Sequence, residues 1–127
     1  MFMQKLALPT ILIFLLSSVV NAQDERTEYK LIDTGVLNHS TLGKGILMII
    51  VPEPMPEGGI HGEIVQQAMP GICNFYAPNV IPYVMKKTET EDPEFVGVRI
   101  NSSSKSVDQY VMQAYQIAQN ECGAPLN

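Results

Sequence analysis

Tryptophan is absent from this chain, aromatic residues make up only 7% of its 127 positions, and it holds two cysteines and two histidines. With so little imidazole, a Ser/His/acid triad would have to recruit His39 or His61, and Ser40 does not serve His39 through adjacency alone, because triad roles depend on geometry. There is no C-x-x-C, G-x-G-x-x-G, P-loop, G-x-S-x-G or H-E-x-x-H, so redox, nucleotide, hydrolase-elbow and zincin chemistry have no motif behind them. Basic residues are scarce as well. Lys and Arg number 8 against 13 Asp and Glu, and the isoelectric point near 4.9 excludes a function dominated by nucleic-acid backbones. The length allows one small domain and excludes a repeat array or separate cofactor and substrate lobes. No motif implies a cofactor, a metal or a catalytic residue.

What is present begins with an address. Lys5 precedes an apolar run over Leu6–Val20, and Val20-Asn21-Ala22 places small or branched residues before a cut between Ala22 and Gln23. This is the pattern of a secretory signal peptide over 1–22. The run is shorter than the roughly 20 residues that cross a bilayer and contains Pro9, so no permanent membrane anchor is expected after removal. No Cys follows the cut, which argues against a lipid anchor. Residues 23–127 then form a single exported domain, more acidic than the precursor because Lys5 is lost. A core of about 100 residues benefits from a covalent brace. Cys73 and Cys122 are expected to supply one, since disulfides persist outside the cytosol and neither thiol has a neighbouring His or Lys to activate it.

Along the exported part, Glu28–Val36 reads as a half-exposed strand and the apolar run Ile46–Val51 as a strand buried on both faces. The intervening Asn, Ser and Gly residues predict a reversal and an antiparallel pair. Pro52-Glu53-Pro54-Met55-Pro56-Glu57-Gly58-Gly59 reads as a stiff, polyproline-like strut ending in a Gly pair. It is either a connector or a docking surface, and Pro52, Pro54, Pro56 and Gly58 are the candidate partner contacts. Apolar residues recur at helical spacing from Gly62 to Lys87, but Pro70, Pro78 and Pro82 predict breaks near Pro70-Gly71 and Ala77-Pro78. Glu89–Glu94 is an acidic turn without the calcium-loop signature, and Phe95–Ile100 reads as a strand. Ser106–Asn120 reads as a helix, with Ser106 and Gln109 as a capping box, a stripe of Val107, Tyr110, Val111, Ala114, Ile117 and Ala118, and a stop at Gly123 and Pro125.

Cys73-Asn74-Phe75-Tyr76-Ala77-Pro78-Asn79-Val80-Ile81-Pro82-Tyr83, then Phe95-Val96-Gly97-Val98-Arg99, then Gln109-Tyr110 through Ala114-Tyr115 to Cys122, resembles an uncharacterised family of small exported bacterial proteins. The resemblance covers the C-terminal half, carries no catalytic residue with it, and implies a bacterial envelope setting. In such proteins the Tyr110–Cys122 stretch is equally compatible with a strand and hairpin.

These readings together give an α+β fold. It is a small two-layer domain with a three-stranded sheet, a proline-broken helical crossover, a C-terminal helix or hairpin, and one disulfide. The expected function is that of a non-enzymatic accessory or interaction module contacting an unknown envelope protein. Two alternatives are kept. Met55, His61 and Met69 offer thioether and imidazole ligands of the kind that suits copper, although Met is also the usual filler of irregular cores. His61 with Glu63 offers a small enzyme an acid/base pair. Asn38-His39-Ser40 and Asn101-Ser102-Ser103 match the N-glycosylation acceptor, which matters only in a eukaryotic host.

Overall fold

The computed structural model describes residues 27–105 and 108–127. The signal segment, its cut between Ala22 and Gln23, and the proposed cap at Ser106 lie outside the described residues.

Among the described residues, five strands make one sheet in chain order: β1 (Glu28–His39), β2 (Gly43–Glu53), β3 (Phe95–Asn101), β4 (Tyr110–Ala118) and β5 (Glu121–Leu126). Every neighbouring pair is antiparallel except β2 and β3, which run parallel. A parallel pair needs a long crossover, and a short 3-10 turn (Gly59–His61) followed by α1 (Glu63–Thr88) provides it. The expected three-stranded sheet is therefore incorrect.

Register explains where the core sits. Ile46, Met48 and Ile50 lie beside Val96, Val98 and Ile100, and all six are fully buried. Side chains two apart share a face of a strand, so this is the face that α1 covers. Val65, Met69, Ile72, Cys73, Ala77, Val80, Ile81 and Val84 meet it from the helix, at the three- and four-residue spacing of one helical stripe.

α1 also corrects the expectation of a broken crossover, because it runs unbroken for 26 residues through Pro70, Pro78 and Pro82. An interior proline orphans the carbonyl four residues earlier and costs about 3 kcal/mol. The carbonyls affected belong to Gln66, Asn74 and Pro78. Those residues and all three prolines sit at exposed positions, where water replaces the missing donor and the ring meets no neighbouring layer. The buried stripe then holds the helix together despite the local penalty. Replacing Pro78 with alanine restores a donor to the Asn74 carbonyl, and it is expected to raise unfolding free energy by about 1–2 kcal/mol after allowing for the freer unfolded chain. Urea denaturation measures it, and an unchanged or lower midpoint would show that the proline is accommodated without cost.

The C-terminal region is not helical. β4 and β5 form a hairpin through Gln119 and Asn120, both left-handed with φ of 56° and 65°, between the paired Ala118 and Glu121. Two successive positive φ values match the type I′ turn that suits the twist of a two-residue hairpin. Cys122 lies in β5, and its disulfide to Cys73, with Cα atoms 6.1 Å apart, ties the edge of the sheet to the middle of α1. At the other hairpin, His39 Nδ1 accepts the backbone N–H groups of Thr41 and Leu42, both at 3.1 Å, and closes the β1–β2 turn.

Candidate interaction surface

The residues picked out along the sequence do not converge. Pro52 is buried inside β2 opposite Tyr29, so it belongs to the sheet and is inaccessible to a partner. Pro54 is exposed and its carbonyl accepts the Thr27 hydroxyl at 3.0 Å. The Pro56 carbonyl accepts the Gly59 N–H at 3.0 Å, and Gly58 is left-handed with φ of 89°. The segment after β2 thus folds into a turn that leads to the 3-10 helix, and the extended strut is corrected. Met69 packs in the core cluster, whereas Met55, His61 and Glu63 are exposed. Among the described residues no three His, Cys, Asp or Glu side chains gather as a metal site.

A different surface comes from α1 and β1. Residues 64–85 of the helix contain no charged side chain; Glu63 stands at its start and Lys86 and Lys87 at its end. The outward half of a surface helix normally carries charge, yet here it carries Ile64, Phe75 and Tyr83 with exposures of 45%, 73% and 54%. The terminal charges themselves are well placed, acid at the positive end of the helix dipole and bases at the negative end.

Between this helix and the outer edge of β1 runs a groove divided by one hydrogen bond, donated by the Tyr76 hydroxyl to the Tyr29 carbonyl. The geometry follows from the sequence opposite. Tyr29 pairs with Pro52, which has no N–H to offer, and the helix supplies the Tyr29 carbonyl with a donor. Partial burial pushes the Tyr29 phenol above its usual range. On one side of the bridge is an apolar cavity of about 350 Å³ lined by Tyr29, Ala68, Gly71, Ile72, Phe75 and Tyr76. On the other is a mixed cavity of about 530 Å³ between Ile32, Asp33 and Thr34 of β1 and Asn79, Tyr83 and Lys87 of α1. Phe75 meets Tyr76 edge to face at 4.9 Å, and the Lys87 ammonium lies 5.6 Å from the Tyr83 ring centre.

The edge of β1 is poorly suited to adding another strand. Its ladder is interrupted by a bulge at Ile32, between Leu31 and Asp33, the Thr34 N–H is taken by the Asp33 carboxylate at 2.9 Å, and Lys30 is paired with Glu53 at 2.9 Å. Bulges and edge charges are the usual devices that stop strands pairing edge to edge. What this surface offers a partner is therefore side-chain contact. Sequence reasoning missed Phe75, Tyr83 and Ile32; the signal available for the two aromatics was the charge-free run over 64–85. No family model, curated protein or solved structure matches this chain.

Proposed function

We propose that the protein is a non-enzymatic interaction module of the cell envelope, and that its contact surface is the outer face of α1 with the groove against β1. One observation carries this reading: a 22-residue stretch of surface helix without charge whose central aromatic, Phe75, is 73% exposed. Depletion of charge with enrichment of aromatics is the compositional mark of an interface core. The Cys73–Cys122 disulfide is compatible with the exported setting. A photo-reactive p-benzoylphenylalanine at Tyr83 is expected to crosslink a discrete envelope species in vivo, while the same residue at Glu121, on β5, gives none. Labelling equal at both positions, or a turnover abolished by His61→Ala, would overturn the reading.

A further inference from the structure

We propose that the apolar half of this groove is an aromatic cage for a quaternary ammonium group, built from Tyr29, Phe75 and Tyr76 with Ala68, Gly71 and Ile72 completing the lining. The inference deepens the preceding reading, on which it rests for the choice of surface, by naming the chemistry of the occupant. The chain carries only four Phe and five Tyr, yet three of these rings line one cavity of about 350 Å³, a volume within the range of small-molecule pockets. Phe75 and Tyr76 stand at 85° to each other with ring centres 4.9 Å apart. They are therefore two walls of a corner and not a stacked pair, and one point can lie within about 6 Å of both centres, the reach of a cation–π contact. The Tyr76 hydroxyl donates to the Tyr29 carbonyl and fixes the Tyr76 ring against β1 before a ligand arrives, so little ordering is left to oppose binding. The space is open on the helix side. A Cβ added at Gly71 would meet no atom within 4 Å beyond its chain neighbours and its own turns of helix backbone.

The lining selects a ligand by what it lacks. No Lys, Arg or His side chain lines the cavity, so an anion finds no charged partner there. Ala68, Gly71, Ile72 and Phe75 bring no polar side-chain atom, and the Tyr76 hydroxyl is already used, which leaves the Tyr29 phenol as the one remaining hydroxyl. A sugar, or a primary ammonium that needs acceptors in exchange for its water, would be left unsatisfied. A quaternary ammonium has no N–H to satisfy, and its charge, carried on methyl groups that pack as apolar surface, is drawn to the faces of aromatic rings. Charge also separates it from a neutral hydrocarbon. The chain's formal net charge is −5, so the field of the whole protein favours cations. Three rings in place of aliphatic side chains then add an attraction that a neutral molecule of the same shape does not feel.

Titration of the oxidised, processed protein with choline and with tetramethylammonium, followed by proton NMR, is the test. Both are expected to bind with a dissociation constant of about 1 mM, their methyl resonances moved upfield by the ring currents. The neutral isostere of choline with carbon in place of nitrogen, and ethanolamine, which lacks the methyl groups, are each expected to bind about tenfold more weakly. Phe75→Leu removes one ring and is expected to weaken choline about fivefold, while Gly71→Leu fills the open space and abolishes binding. Both variants should keep the wild-type far-UV circular dichroism, since both positions are exposed. Retention of the protein on phosphatidylcholine vesicles, reversed by free choline, assigns the group to a lipid headgroup; choline binding without vesicle retention assigns it to a free solute, and either result supports the cage. An absence of saturable choline binding overturns it, as does equal affinity for the neutral isostere or undiminished binding in Gly71→Leu. If choline does not bind yet the photo-reactive residue at Tyr83 still crosslinks an envelope species, the interaction reading stands and the cage alone fails.

Discussion

Removing the disulfide between β5 and α1 is expected to cost about 4 kcal/mol. Cys73 and Cys122 are 49 residues apart, and in the chain-entropy account a loop of that length restricts the unfolded ensemble by about that amount. For a domain of roughly 100 residues, whose whole stability is about 5–15 kcal/mol, the melting temperature should fall by about 20 °C. Cys122→Ala is the cleaner variant. Cys122 is half-buried in β5, whereas Cys73 is fully buried under the sheet, so the thiol left behind remains in an apolar site that accepts it. Among the described residues β5 pairs with β4 alone, and it carries Gly123 and Pro125, residues that weaken a strand. Hydrogen exchange should therefore accelerate first over Glu121–Leu126. A thermal transition shifted by less than about 5 °C, which is near 1 kcal/mol, would show that strain or residual unfolded structure cancels the brace.

Gly45→Ala is expected to destabilise by about 2–4 kcal/mol, and Phe95→Leu in the same chain to recover a substantial part of the loss. A Cβ on Gly45 would fall 2.4–2.5 Å from three atoms of the Phe95 ring, which no pair of carbons tolerates. Phe95 is fully buried and is edge-on to His39 at 6.3 Å, so the ring leaves only by surrendering its burial or by forcing β2 and β3 apart. Leucine at 95 removes the far ring atoms where the clash occurs. Gly97→Ala is the internal control. The nearest atom to its added methyl is the Met112 Cε at 2.6 Å, the free end of a flexible chain that swings aside at little cost. Urea denaturation of the four proteins measures the set. Equal losses at Gly45 and Gly97, or no recovery in the double variant, would contradict the ring contact.

The sheet contact also shows why some elements were readable in advance. Ile46–Val51 is an unbroken apolar run, and Phe95, Val96, Val98 and Ile100 are branched or aromatic; the two segments are the parallel centre of the sheet. β4 has a two-sided character. Val111, Tyr115 and Ile117 join the helix-side cluster, while Met112 lies over Gly97 on the other face. With apolar residues on both sides there is no alternation to read, and the same positions fit a helical stripe equally well. The turn that makes the hairpin uses Gln119 and Asn120 without the glycine that usually announces it.

The candidate surface was hidden for a related reason. Pro70, Pro78 and Pro82 signal helix breaks when each is weighed locally, and a broken helix has no continuous outer face. Only the packing of Val65, Met69, Ile72, Ala77, Val80, Ile81 and Val84 against the sheet outweighs three local penalties and leaves Ile64, Phe75 and Tyr83 exposed on one continuous helix.

By itself the sequence determined the features that depend on residue type and short-range order: the β1–β2 reversal, the apolar central strands, and two cysteines with no partners but each other. The tertiary structure decided what depends on competition between distant segments. It joined five strands where three were expected, turned the last helical pattern into a hairpin, buried Pro52 in the ladder and kept α1 whole. The physical reason is one of scale. A proline or an ambiguous stripe shifts a local preference by a few kcal/mol at most, and burying the face of a 26-residue helix on a sheet outweighs it through apolar area that no local window contains.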